Sequence, residues 1–253
     1  MTWNESAGTV SRAFDEWLHS ERNIRAFLRL STAWSERGYD SSWSRAEESF
    51  AAVFDPDRHY GDEHVDIFDS SVGGLWPTDY TWMLQAATLK DAVTAFEVYL
   101  EKALEEALHR RRYEKDGQRV SLRLAVGKNQ ESPGWRTIVA AHRVLGTIVD
   151  TDSVKEVRAL RHLLTHQHGE LRTEEIRERF CEAATEATLE EYERSYVGGK
   201  VHLGEARVLK CLDWLGAVVR SADPPVWEIE WGQGTLPAEE LYSAKCVELV
   251  RCP

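Results

Sequence analysis

At 253 residues and 42% hydrophobic content the chain can bury one sizeable core, and its net charge of −12 argues against nonspecific adhesion to nucleic acid. The four cysteines, Cys181, Cys211, Cys246 and Cys252, form no C-x-x-C pair, which argues against a zinc knuckle and a disulfide framework. No apolar run approaches a membrane span, and the N-terminus lacks a basic flank and an apolar h-region, so a cytoplasmic protein without membrane contact is expected.

Taken in order, Val10, Phe14, Trp17, Ile24, Phe27, Leu28 and Trp34 predict one or two helices with a break at residues 20–23. Residues 38–44 read as a turn and residues 46–54 as a short helix. The acidic stretch 55–74 follows, where His59, Asp62, His64 and Asp66 read either as a solvated loop or as divalent-metal ligands. Trp76, Pro77 and Thr78 mark the entry to the longest helix. Leu89, Val93, Phe96, Leu100, Ala103 and Ala107 then recur near a 3.5-residue period, which suits packing along another helix. Glu97, Glu101 and Glu105 run down a neighbouring face. Glu97 reads either as a solvated carboxylate or as one aimed at Arg161, and Glu106 stands four residues before Arg110 as a helical ion pair.

Beyond Gly117, Val120, Leu122, Leu124 and Val126 alternate with Ser121, Arg123 and Ala125 and predict a strand or extended arm. Pro133 is expected in the first turn of a helix that buries Trp135, Ile138, Val139, Leu145 and Ile148, with His142 at the core edge. Thr173 should cap a helix from Glu174 to about Tyr196, which Gly198 and Gly199 break. Another helix, over residues 201–220, presents Leu203, Val208, Leu212, Leu215 and Val219 until Asp223-Pro224-Pro225 stops it. Residues 226–231, VWEIEW, read as an edge strand and residues 237–249 as a last short helix.

The chemistry is concentrated in residues 153–169, SVKEVRALRHLLTHQHG. Ser153 and Glu156 fit the capping box S-x-x-E, so a helix is expected from Val154, with Gly169 at its end. Val154, Val157, Leu160, Leu163 and Leu164 form its apolar stripe, leaving Arg158, Arg161, His162, Thr165 and His166 on the polar side. Arginine grips a phosphate through two N–H groups and histidine exchanges protons near neutrality, so Arg161 with His166 suits metal-free cleavage of an RNA phosphodiester. Five positions along an ideal helix leave the two about 140° apart. Either the helix ends near Thr165 and His166 swings in from the turn, or two chains share one cleft across a two-fold axis.

The segment Arg161-His-Leu-Leu-Thr-His166 resembles the R-x4-H signature of the HEPN superfamily of small helical, typically dimeric ribonucleases. By position Arg161 and His166 match the motif, His162 matches its polar position, and Gly169 resembles the H-x-x-G continuation. The spacing R-x4-6-H also occurs from Arg12 to His19, Arg58 to His64, Arg136 to His142 and Arg161 to His168, but only residues 161–166 sit in a capped amphipathic helix. The resemblance implies a mainly α, HEPN-like up-and-down bundle with minor β segments. Its single domain would comprise a helical extension over residues 1–75, a core over 76–220 and an appendage over 221–253.

It also implies a homodimeric endoribonuclease with catalytic Arg161, His162 and His166, needing no cofactor or metal. An antitoxin or sensor protein would restrain it if it serves as a toxin or antiphage effector. Residues 107–180 hold fifteen Lys and Arg against ten Asp and Glu, a basic stretch that leaves −17 on the remainder. Arg158, Thr165, His168, Arg110 and Arg111 are therefore the expected RNA-binding residues.

Two rival chemistries find less in the sequence. His162 and His166 stand at i, i+4 as zinc-binding histidines do, yet HLLTH has leucine where a zincin places its catalytic glutamate. No G-x-S-x-G elbow, P-loop or Rossmann glycine pattern occurs. The remaining alternative is a noncatalytic HEPN-like module that dimerises or holds a partner or ligand with its tryptophans.

Overall fold

The computed structural model describes residues 10–54, 77–109, 112–115, 118–128, 130–180, 199–232 and 234–251. The protein is mainly helical. Its described helices are α1 (Arg12–Phe54), α2 (Pro77–His109), α3 (Trp135–Val144), α4 (Asp152–His166), α5 (Glu174–Phe180), α6 (Glu205–Glu230) and α7 (Ala238–Ser243). Strands β1 (Arg112–Lys115), β2 (Gln118–Leu124) and β3 (Val247–Arg251) form one antiparallel sheet in the order β1-β2-β3. The chain divides into two compact units, one of Met1–Ile24, Asp91–Ala159 and Leu209–Pro253, the other of Arg25–Lys90 and Leu160–Val208.

The first unit is built around the apolar stripe of α2, where Val93, Phe96, Leu100, Ala103 and Ala107 are all buried as their spacing predicts. Trp17 of α1 meets Phe96 edge to face, with ring centroids 6.3 Å apart, and Phe96 meets Trp135 at 6.4 Å. His142 lies inside this core, fully buried, rather than at its edge. Its Nε2 faces the Leu100 carbonyl at 3.1 Å, which can only accept, so the ring proton sits there and Nδ1 faces the Thr147 hydroxyl at 3.2 Å. Burial pushes the pKa of His142 down to about 4.

Carboxylates gather in the same unit at the start of α1. Glu106 accepts the Arg12 backbone N–H at 3.1 Å, and Asp223 accepts both the Ser11 N–H at 3.2 Å and the Ser11 hydroxyl. Both carboxyl groups thus meet the donor end of a helix. Glu106 also meets the Glu230 carboxyl, and burial together with that neighbour pushes its pKa up to about 7. Arg110, its expected partner, lies outside the described residues along with Arg111.

Several expectations are corrected. Helix α1 runs without the break at residues 20–23 or the turn at 38–44, and within it Ser20 and Ser41 turn their hydroxyls back onto the Glu16 and Gly38 carbonyls at 3.0 Å each. At 43 residues it, and not α2, is the longest helix. Helix α6 continues through Pro224 and Pro225, so residues 226–231 are chiefly helical and not an edge strand. Val219, Ala222, Val226 and Ile229 are all buried on one side of it, and that burial outweighs the two missing N–H donors, which would have served the exposed residues Arg220 and Ser221. The end of α6 therefore lies beyond the boundary at residue 220 that its prolines suggested.

Helix α3 starts at Trp135 after an N-cap at Gly134, leaving Pro133 outside, and Ile148 is exposed. The predicted strand is β2. Its neighbours were not foreseen: Arg112 pairs with Ser121, and Leu122 pairs with Leu249, which belongs to β3 and not to a last helix. The acidic stretch at 55–74 and the part of the expected helix beyond Phe180 lie outside the described residues.

In the second unit Leu160, Leu163 and Leu164 of α4 are buried, as are Leu84 and Leu89 of α2, Val201, Leu203 and Val208. Thr173 caps α5 as expected, accepting the Ile176 N–H at 3.3 Å. Residues 169–171 lie antiparallel to residues 199–201: Val201 donates to the Gly169 carbonyl at 2.7 Å and Leu171 to the Gly199 carbonyl at 2.9 Å.

Candidate functional site

Helix α4 begins two residues earlier than the capping box suggests. Thr151 is the cap, its hydroxyl accepting the Val154 N–H at 3.3 Å and its carbonyl the Lys155 N–H at 2.9 Å. Ser153 and Glu156 are thus helical. All five predicted stripe residues are buried. The C-terminal end also differs, since the helix includes His166 and the Gln167 N–H still bonds back to the Leu163 carbonyl at 3.0 Å. His166 therefore does not swing in from a turn, and Arg161 and His166 remain well round the same helix from each other.

Arg158, in the first unit, is held by the protein itself. Its Nε donates to Glu97 at 2.9 Å and its guanidinium lies 3.6 Å from the centre of the Trp135 ring. Glu97 was expected to face solvent or Arg161; it faces Arg158 instead.

The remaining polar residues of α4 belong to the second unit. Arg161 is half-buried, and its Nε is buried with no hydrogen-bond partner among the described residues. His162 and His166 are exposed with ring centroids 4.5 Å apart, as one helical turn allows. Thr165, exposed between them, donates its hydroxyl to the Arg161 carbonyl at 2.9 Å and keeps its oxygen available as an acceptor. His168 is exposed and left-handed at φ 52°, followed by Gly169 at φ 78°. The Gly169 N–H closes the helix end by donating to the Leu163 carbonyl at 3.1 Å.

Beyond the turn, Arg172 donates to Glu170 at 2.7 Å and holds that carboxyl below the usual carboxylate range. One neighbour of this end of α4 went unnoticed in the sequence. The Trp82 indole N–H donates to the Val201 carbonyl at 2.8 Å, and the Lys200 ammonium lies 4.8 Å from its ring centre. Trp82 stands in a helix far from residue 169 along the chain, so no local pattern points to it.

Chemically, this end of α4 offers a fixed positive charge, two titratable rings in contact and a free acceptor oxygen. Among the described residues no three His, Cys, Asp or Glu gather so as to hold a metal ion, and no helix is long and apolar enough to cross a membrane. Comparison of the chain with family models, with curated proteins and with solved structures finds no match.

Proposed function

We propose that the protein is an endoribonuclease that cuts RNA by transesterification without a metal. The observation that carries this reading is the Arg161 guanidinium, its buried Nε without a partner among the described residues, on the same helix end as two exposed imidazoles in contact. One imidazole takes the proton of the 2′-OH as that oxygen attacks phosphorus, and the other protonates the departing 5′-oxygen. Arg161 steadies the charge on the phosphoryl oxygens between them. The products are a 2′,3′-cyclic phosphate and a 5′-OH.

The angular separation of Arg161 and His166 on one helix favours a site completed by a second copy, because a two-fold axis presents the same patch twice. The R-x4-H resemblance to HEPN ribonucleases supports the same arrangement. It also supports a cytoplasmic toxin or antiphage effector restrained by an antitoxin or sensor protein. Pure protein incubated with mixed RNAs in EDTA should yield ends carrying 2′,3′-cyclic phosphate, and His166→Ala should abolish cleavage while leaving the fold intact. Cleavage that survives in the alanine variant removes His166 from the mechanism.

A second reading, a noncatalytic module of the same helical kind, is favoured by one feature of α1. Phe27, Leu30 and Trp34 stand at helical spacing and are all exposed, Trp34 by 69%. Absence of cleavage in every RNA pool, together with capture of a protein partner through this face, selects that reading.

A further inference from the structure

We propose that Trp82 is a positioning residue for the turn that follows His166 and carries His168, an inference that rests on the ribonuclease reading of this site. The turn must hold two consecutive left-handed residues, His168 at φ 52° and Gly169 at φ 78°. The glycine adopts that conformation at no steric cost, whereas the histidine is held in it at an energetic cost. What keeps the turn in place is the outer edge of the Trp82 indole. A Cβ added to Gly169 would lie 2.6 Å from Cζ2 and 3.1 Å from Cη2 of that ring, so the indole occupies the space a side chain would need.

The ring is itself pinned along the same edge, through the neighbouring Nε1. Its Nε1–H donates to the Val201 carbonyl at 2.8 Å, while the Val201 N–H donates to the Gly169 carbonyl at 2.7 Å. Trp82 therefore bridges the turn and the segment that pairs with it, and the Lys200 ammonium lies over its face. Glycine at position 169 of the H-x-x-G pattern serves two needs at once: a positive φ and close approach to an aromatic ring. Histidines aligned by such a turn lose alignment when the ring edge is removed, and small misplacements of a proton-transfer group are costly in rate.

The test uses Trp82→Phe and Gly169→Ala in the full-length protein. Phenylalanine keeps a buried aromatic ring but has no counterpart of Cζ2, Cη2 or Nε1, so it removes the contact with Gly169 and the bond to Val201 together. Gly169→Ala instead drives a Cβ into the ring. Both variants should lower kcat on the order of tenfold at nearly unchanged KM. Both should also shift the Cε1–H NMR resonances of His166 and His168 and leave that of the buried His142 in place.

Wild-type kcat with unshifted His166 and His168 resonances in both variants overturns the proposal. So does a shift of His142 as large as theirs, which marks general loosening. If the wild-type protein cuts no RNA, the ribonuclease reading fails, and the histidine resonances alone decide whether Trp82 positions the turn.

Discussion

Arg158 and Glu97 form a shielded ion pair in which the arginine also lies over an indole. The Nε of Arg158 donates to Glu97 at 2.9 Å, each side chain is 29% exposed, and Trp135 covers the guanidinium at 3.6 Å. Removing one partner leaves a partly desolvated charge, so Glu97→Ala should cost about 1–3 kcal/mol. Glu97→Gln, which keeps an acceptor, should cost less, and Arg158→Lys loses the guanidinium over Trp135. Urea titration of the single and double variants measures the coupling, and an additive cycle denies the pair any energetic role.

His142 makes the protein sensitive to acid. The unfolded ring takes up a proton near 6.5, whereas the buried native ring resists protonation until about 4. Between these values the unfolded chain binds more protons, so the contribution of His142 is complete above 6.5 and is lost as the pH falls through that window. It amounts to about 3 kcal/mol. Urea midpoints from pH 4 to 7 should fall on the acid side, and His142→Leu should flatten that slope.

Glu106 acts in the opposite sense. Its folded pKa, raised from 4.5 to about 7, means that the native state retains a proton the unfolded chain has released. Its contribution is therefore complete below 4.5 and lost as the pH rises through 7. Facing it are the Glu230 carboxyl from α6 and the Arg12 and Ala13 backbone N–H groups from α1. Glu230→Gln removes the opposing carboxylate and should shrink the loss of stability between pH 5 and 8. An unchanged pH slope in that variant dissociates Glu230 from the effect.

A site shared between two copies has a direct consequence for mixed dimers. Arg161→Ala and His166→Ala should each be inactive as pure proteins. Co-refolding the two should restore part of the cleavage, because a mixed pair holds one intact Arg161 and one intact His166 on different chains. No recovery in confirmed heterodimers rules out assembly of the site in trans.

The residue pattern by itself determined the helices whose energy is local. The stripes of α2 and α4 are buried position for position, because residues three and four apart share a helix face wherever that helix packs. The polar side of α4, the Thr173 cap and the glycine closing the turn were legible for the same reason. Tertiary structure decided what depends on distant segments. The buried side of α6 carries the helix through Pro224 and Pro225 against their local preference, and β2 finds β3 more than a hundred residues away. Glu97 chooses Arg158 over Arg161, and Trp82 reaches Gly169, through contacts whose two halves carry no mutual mark in the chain. Such energies exist only once the partner segment is in place, which is why spacing along the sequence records the first kind of information and not the second.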